Sequence, residues 1–524
     1  MLSPLDEVNP RLTDGGAGGD GSSQHCQTNA ECSAGNADEP FRCFEGECIS
    51  LKSPECSVVY DGKEGRDHAD PNPVYLGAFA NYGNSAGVGS DFFNYQFALE
   101  ELSGPNIRGV PGPNITYRPV VLVVCDNADT RSDRREVVKR GFEHLVDRVH
   151  VPGILTALRE EDLLEHFGTF GRGKGTFFLS PFGANQILAD APDDGLMWHM
   201  LGLPSQLAPT YVALVKRLEQ RVKAQRTGVT AIKVAVVQSR LGFDTELADF
   251  VLRDLEFNGK SASANQLDGN FQLHRLEAET DLAGVAGAIK LFQPHIVLSL
   301  AGEPFTDTIL PVIEPDLGGD GTYFVLSPVN LGSMEQDIKP VIWRSIDPLP
   351  KTPKRYLAIN VAGAADKGLY NKYFEDLRLA FRNSRPGTEN YYDAMYFLVY
   401  ALHAGNPTGN ASGADMASGI KRLIAPGPTT HAVGGLHVSS VYAALLAATN
   451  RIALNGTLGP PLFDETSGVR VSSGSVMCFE FTPDTEFKVT EASDVLRLDD
   501  KGELVFSSGY NVGNAPCLDD EPDM

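Results

Sequence analysis

The stretch that most restricts the fold runs from Val74 to Glu101. It opens Val-Tyr-Leu-Gly-Ala-Phe-Ala, a short and nearly continuous apolar run. A half-exposed strand would alternate, so this run suits a strand buried on both faces of a parallel sheet. The segment 81–89 follows, uncharged and carrying Gly83, Gly87 and Gly89. Ser90 or Asp91 then offers a side-chain oxygen to cap the next helix. Strand, loop and helix opening make half of a βαβ unit. In open α/β sheets ligands bind outside the carboxyl ends of the strands, so this loop, with Asn81 and Tyr82, is a candidate ligand wall.

The same pattern recurs. Apolar strands are expected at Pro119–Cys125, Val149–Ile154, Thr176–Ser180, Ile232–Val237, His295–Leu300 and Tyr323–Leu326, with helical segments between them. The aromatics Phe92, Phe93 and Phe97 fall on the first helix and read as core. Trp198–Leu203 extends across a gap, Arg355–Val361 extends again, helices dominate 369–450, and a strand-rich tail closes the chain. Alternating βα units predict parallel sheets. Two series separated near 198–205 predict two α/β lobes, with the chain crossing between them more than once. At 524 residues the chain exceeds what one core usually holds.

The 68 acidic and 44 basic residues give a formal charge of −24. That is no footprint for nucleic acid or anionic lipid. No apolar run reaches the roughly 18–20 residues that span a bilayer. The opening Met1–Glu7 has neither the basic region nor the apolar core of a signal peptide, so export would require that a leader has been trimmed. The eight cysteines favour export. Cys26, Cys32, Cys43 and Cys48 crowd into a polar segment with little else to fold around, and an oxidising compartment supplies staples for such a piece. Their spacing lacks the tight pairs of zinc modules. Cys56, Cys125, Cys478 and Cys517 are further disulfide candidates of open pairing. The expected organisation is a flexible tether at 1–25 and a cystine-rich segment with linker at 26–72. Lobe one is expected at 73–200 plus 362–458, and lobe two at 201–361 plus 459–524.

Several pieces resemble the type I periplasmic binding proteins, the family of the leucine/isoleucine/valine-binding protein and of receptor ligand-binding regions. They are Leu76–Phe79 with the helix Asn94–Leu102, Val121–Asp126 with its terminal acid, Gly175–Ala184, Lys233–Val237 with Gly242 and Phe243, and Gln293–Ser299, where His295 replaces an acid. The turn Asn455–Asp464 resembles the one near the third crossover. The resemblance runs from about Pro73 to the end. It implies two Rossmann-like lobes joined by three crossing strands, closing like a hinge on a small solute. It also implies a membrane permease or sensor as partner, a monomer, a periplasmic or surface-tethered location, and no cofactor or metal. The ligand-binding residues it points to are Asn81, Tyr82, Leu155, Thr156, Ala157, Phe182, Gly183, Ala184, Leu241, Phe243, Leu300, Ala301, Glu303 and Asn330. Ala184 stands at a threonine position of the family, and no acid stands near Val329-Asn330. An apolar or aromatic solute is therefore as open as an amino acid.

Other motifs reduce to structure. Gly168–Gly175 has phosphate-loop spacing, yet Gly175 follows Lys174 and a strand follows the loop where a helix is needed. Asp126, Asn127, Asp129 and Asp133 suggest a cation site but are expected to cap and solvate the next helix. His144, His150 and His199 have no spaced partner. No nucleophile elbow or His-Glu-x-x-His appears. The alternatives are an α/β hydrolase-like enzyme using the same cleft, or a scaffold with a degenerate one.

Overall fold

The computed structural model describes residues 25–33, 39–81, 90–104, 107–112, 116–128, 131–239, 242–277, 279–302, 304–318, 321–328, 355–361, 368–381, 388–407, 410–424, 427–481, 487–489, 496–498, 501 and 503–506. Among them no helix is long and apolar enough to cross a membrane.

Two sheets organise the chain, packed with helices that include α1 (Ser90–Leu102), α2 (Arg134–Phe142), α3 (Glu160–His166), α4 (Pro204–Gln225) and α5 (Gly242–Asp254). The first contains β1 (Val58–Tyr60), β2 (Val74–Ala80), β3 (Val120–Asp126), β4 (Gly153–Thr156), β5 (Phe177–Ser180) and β6 (Met197–His199). The second contains β7 (Val234–Gln238), β8 (Phe271–Arg275), β9 (Ile296–Leu300), β10 (Tyr323–Leu326) and β11 (Tyr356–Val361). Two short strands, β12 (Phe463–Asp464) and β13 (Val469–Arg470), return to the first sheet. The antiparallel β14 (Gly474–Phe481), β15 (Leu496–Leu498) and β16 (Leu504–Phe506) complete the second. The first sheet reads β12-β13-β6-β5-β4-β2-β3-β1 and the second β8-β7-β9-β10-β11-β14-β15-β16. All seven residues of β2 and of β3 are buried, as an apolar run covered by helices on both faces requires.

The chain passes between the sheets three times: after β6, after β11 and between β13 and β14. These are the two Rossmann-like lobes and multi-strand hinge that the sequence motifs imply. Val469 pairs with His199, so Phe463–Arg470 lies in the first sheet, beyond residue 458 where the sequence reading passes to lobe two. The third crossing is locked from inside lobe one. Asp393, fully buried, accepts the Thr457 N–H and hydroxyl, both at 2.9 Å, and the Leu458 N–H at 3.0 Å. Arg470, 4% exposed, donates to the carbonyls of Leu458, Gly459 and Pro460. A Cβ at Gly456 would meet Asp393 Oδ2 at 2.1 Å, which explains the glycine in the turn.

The cystine-rich segment is a hairpin, Phe41–Phe44 against Glu47–Ser50, stapled by Cys26–Cys43 and Cys32–Cys48. The Cys26, Cys32 and Cys48 sulfurs crowd together because the bridges are adjacent. A third bridge joins Cys56 to Cys125 of β3. β1, within the expected linker, pairs antiparallel with β3, so the segment continues the lobe-one sheet. Arg42 lies over the Tyr75 ring at 4.6 Å and donates to the Val149 carbonyl. The Cys478 side chain and Cys517 lie outside the described residues.

Candidate functional site between the lobes

Residues that follow strand carboxyl ends of lobe one meet the start of a lobe-two helix, which marks the place where the two lobes face each other. On the lobe-one side, Leu155, Thr156 and Ala157 end β4 and are buried. Thr156 pairs in register with Phe79, whose ring packs on Phe142, and parallel neighbours in register share a face. The Thr156 hydroxyl therefore points toward the helix-covered face, and it has no hydrogen-bond partner among the described residues. The next loop is better placed. Pro181 accepts from Asn390 Nδ2 at 2.9 Å, and Phe182, 37% exposed, meets Tyr391 edge-on with ring centroids 5.5 Å apart. The helix Glu389–Gly405 therefore fastens this loop. Ala184 is fully buried.

On the lobe-two side, α5 (Gly242–Asp254) follows β7, and Leu300 and Ala301, buried, end β9. The α5 N-terminus reaches across. A Cβ at Gly183 would sit 3.3 Å from Phe243 Cε2 and 2.4 Å from the Gly202 carbonyl oxygen, so glycine is required where the aromatic ring meets the loop. Gln186 N–H donates to Glu246 Oε2 at 2.9 Å across the gap. Glu160, first residue of α3 (Glu160–His166), accepts from Asn185 Nδ2 at 3.0 Å. Its Oε2 lies 2.5 Å from where a Cβ on Gly242 would be, and Gly242 has φ +33°. Burial, then Glu246, raises the Glu160 carboxyl to about 7, with Glu161 and Asp244 adding and Asn185 opposing. Burial also raises Asp244 to about 7 against a hydrogen bond from Ser327.

The structure thus brings Phe182, Gly183 and Phe243 together, and places Asn81 half-exposed at the end of β2. Tyr82, Leu241, Glu303 and Asn330 lie outside the described residues. Sequence reasoning missed Glu160, Asn185, Gln186 and Glu246. Their only local signal was an acidic helix start at Glu160-Glu161-Asp162, which reads as dipole compensation.

The set-aside motifs have structural explanations. Asp126 accepts the Ala128 N–H at 3.0 Å. Asp133 stands at the start of the helix Arg134–Phe142, but its side chain caps no N–H and pairs with Arg131 at 2.8 Å instead. Asp129 lies outside the described residues. Lys174 pairs with Asp147 at 2.9 Å. His144 Nε2 lies 3.0 Å from the Leu51 carbonyl, and His150 stacks on Phe44 at 4.1 Å. His199 is buried, and burial lowers its pKa to about 4. One further chain of groups lies outside the gap: Ser33 Oγ sits 2.8 Å from His68 Nε2, and His68 Nδ1 bonds Asp61. It ties the short helix Asn29–Ser33 to the Asp67–Ala69 turn. Acyl transfer also needs donors around the developing oxyanion, and the backbone that follows Ser33 lies outside the described residues.

Solved structures share this architecture. A solute-binding protein of an ABC transporter from R. palustris, in complex with 4-hydroxybenzoate, matches with TM-score 0.56 at 12% identity, covering 79% of this chain and 95% of that one. A fatty acid ABC transporter substrate-binding protein from Thermomonospora curvata matches with TM-score 0.52 at 13% identity, over 78% and 89%. A leucine-binding protein from Thermotoga maritima matches with TM-score 0.50 at 15% identity, over 79% and 97%. No protein-family model and no curated protein sequence matches. At these identities the likeness shows the fold, that of the type I periplasmic binding proteins.

Proposed function

We propose, starting from the type I binding-protein fold, that this is an exported protein that captures a small molecule between its lobes by hinge closure. It would deliver that solute to an ABC-type membrane permease or to a sensor, acting as a monomer and without catalysis. The observation that supports this most is the seating of the α5 first turn on the loops after β4 and β5, where Phe243 meets the Gly183 backbone and Gln186 bonds Glu246. One helix end from each side of a three-strand hinge meets there, which is the geometry a closing cleft needs. A ligand touching both walls favours closure by its differential affinity for the closed form.

The ligand class follows from the walls. Phe182 is partly exposed and Phe243 half-buried, and both flank Gly183. Two aromatic rings beside a bare backbone suit a solute with a flat or apolar part and a polar end, an aromatic metabolite or an apolar amino acid among them. Hydroxyls at the Thr156 and Ala184 positions do not line the gap, since Thr156 is turned inward and Ala184 has none.

The test is a thermal-shift panel of amino acids, aromatic acids and short fatty acids, with mass spectrometry for product. Saturable stabilisation with the solute unchanged supports capture. Product formation replaces it with the hydrolase-like reading, and no stabilisation by any solute supports a degenerate cleft.

A further inference from the structure

We propose that closing the gap is coupled to proton uptake by a carboxyl cluster split between the lobes, with Glu160 on one side and Asp244 and Glu246 on the other. This rests on the reading of the gap as a closing cleft. Glu160 Oε2 lies against Gly242, the first residue of α5, and accepts from Asn185 at 3.0 Å. Two residues into α5, Asp244 is 5% exposed, and its Oδ1 has no hydrogen-bond partner among the described residues. Glu246 reaches back to the Gln186 N–H at 2.9 Å with one oxygen, while its buried Oε1 has no partner among the described residues. Contact between the lobes therefore brings the partly buried Glu160 and Glu246 together beside the buried Asp244.

The surrounding charges sharpen the effect. The charges that act most on Glu160 are Glu246, Glu161 and Asp244, all negative. Asp190 and Asp249 face Glu246. Arg134 is engaged with Glu161 at 2.9 Å and Asp162 at 3.3 Å, and Arg159, exposed, acts on those same two acids. Tyr211, beside Asp244, spends its hydroxyl on the Leu326 carbonyl. The positive N-terminus of α5 favours an ionised Glu160, but burial and like charge outweigh it.

The three groups divide by what opening changes. Asp244 is hydrogen-bonded to Ser327 of its own lobe, a contact that opening does not remove. Glu160 and Glu246 owe part of their burial and of their like-charge neighbours to the opposite lobe, so they carry the coupling. The closed form holds Glu160 above its ordinary value, so a proton favours closure. That preference is complete below the ordinary carboxyl range and is lost as pH rises through about 7. Closure is then easier in mildly acidic surroundings.

Small-angle X-ray scattering of the full, solute-free chain between pH 5.5 and 8 tests this. The radius of gyration of the wild type should fall with pH, the closing constant changing by at most about tenfold per pH unit for each coupled proton. Glu160→Gln keeps an acceptor for Asn185 but removes the titrating charge. It should be more compact at pH 8 and show a shallower profile, and Glu246→Gln should do the same. Glu256→Gln, an exposed acid outside the gap, should match the wild type. Identical profiles for wild type and Glu160→Gln, flat ones included, overturn the proposal. Because no solute is present, that failure leaves solute capture standing, and a silent solute panel leaves the coupling standing.

Discussion

Replacing Asp393 with alanine probes how the hinge is held. The carboxylate is fully buried and accepts from two backbone N–H groups and one hydroxyl, all on the turn that leads into the third crossing. Its neighbour Arg470 is buried with it, and desolvation lowers that guanidinium to about 10 against the attraction of Asp393. Alanine would orphan three donors, at roughly 1 kcal/mol each in net terms. It would also remove the charge whose attraction partly offsets the burial of the Arg470 guanidinium, so the total should exceed the roughly 3 kcal/mol of the three donors. Asp393→Asn keeps the shape but turns an N–H₂ toward one donor, so its cost should fall between alanine and wild type. Urea unfolding, followed by tryptophan fluorescence in a Trp343→Phe background that leaves Trp198 as the sole emitter, reports on this lobe, because the Trp198 indole is buried 5.6 Å from Phe463 of β12. Asp133→Ala, at an ion pair half open to solvent, is the control. A midpoint for Asp393→Ala equivalent to less than about 1 kcal/mol of destabilisation would refute the argument that this carboxylate holds the crossing.

Other outcomes follow from the same structure. Replacing Cys56 and Cys125 with alanine reopens a chain segment of 69 residues and should cost about 4 kcal/mol on the loop-entropy model, read as a lower thermal midpoint. His199 and His403 are buried and held to about 4, so between roughly pH 6.5 and 4 the unfolded chain binds protons that the folded chain refuses. The stability gained by a His199→Asn/His403→Asn variant relative to wild type should therefore grow as pH falls through that window and stay constant above it, in denaturant titrations at each pH. Phe243→Ala should weaken solute binding by roughly tenfold or more through lost ring contact, while the half-buried position leaves the thermal midpoint of the solute-free protein nearly unchanged.

The sequence discloses the sheets more readily than the contacts between them. β2, β3, β5, β9 and β10 are short apolar runs that need cover on both faces, and that need is written locally. β1 is not, because Val58–Tyr60 sits in a polar linker and becomes a strand only by pairing with Leu122–Val124. The bridge from Cys56 to Cys125 is hidden for the same reason. In the gap, Gly183 and Phe243 were legible only through the family resemblance. Their meeting was not, and neither was the Gln186–Glu246 bond, since both depend on how two lobes pack. The acidic run after β3 reads as structural in the sequence, as solvating and capping the next helix. Asp126 turns back on the Ala128 N–H and Asp133 on Arg131, so the local partners, not a cap on the helix, absorb those charges.

The central claim is a solute held between two lobes that touch it from both sides. A crystal structure of the protein grown with the solute selected by the thermal-shift panel tests it most directly. The account predicts density for that solute between the Phe182–Gly183 loop and the Phe243 end of α5. Solute seated on the outer face of either lobe, with the gap filled by the protein's own side chains, would contradict it.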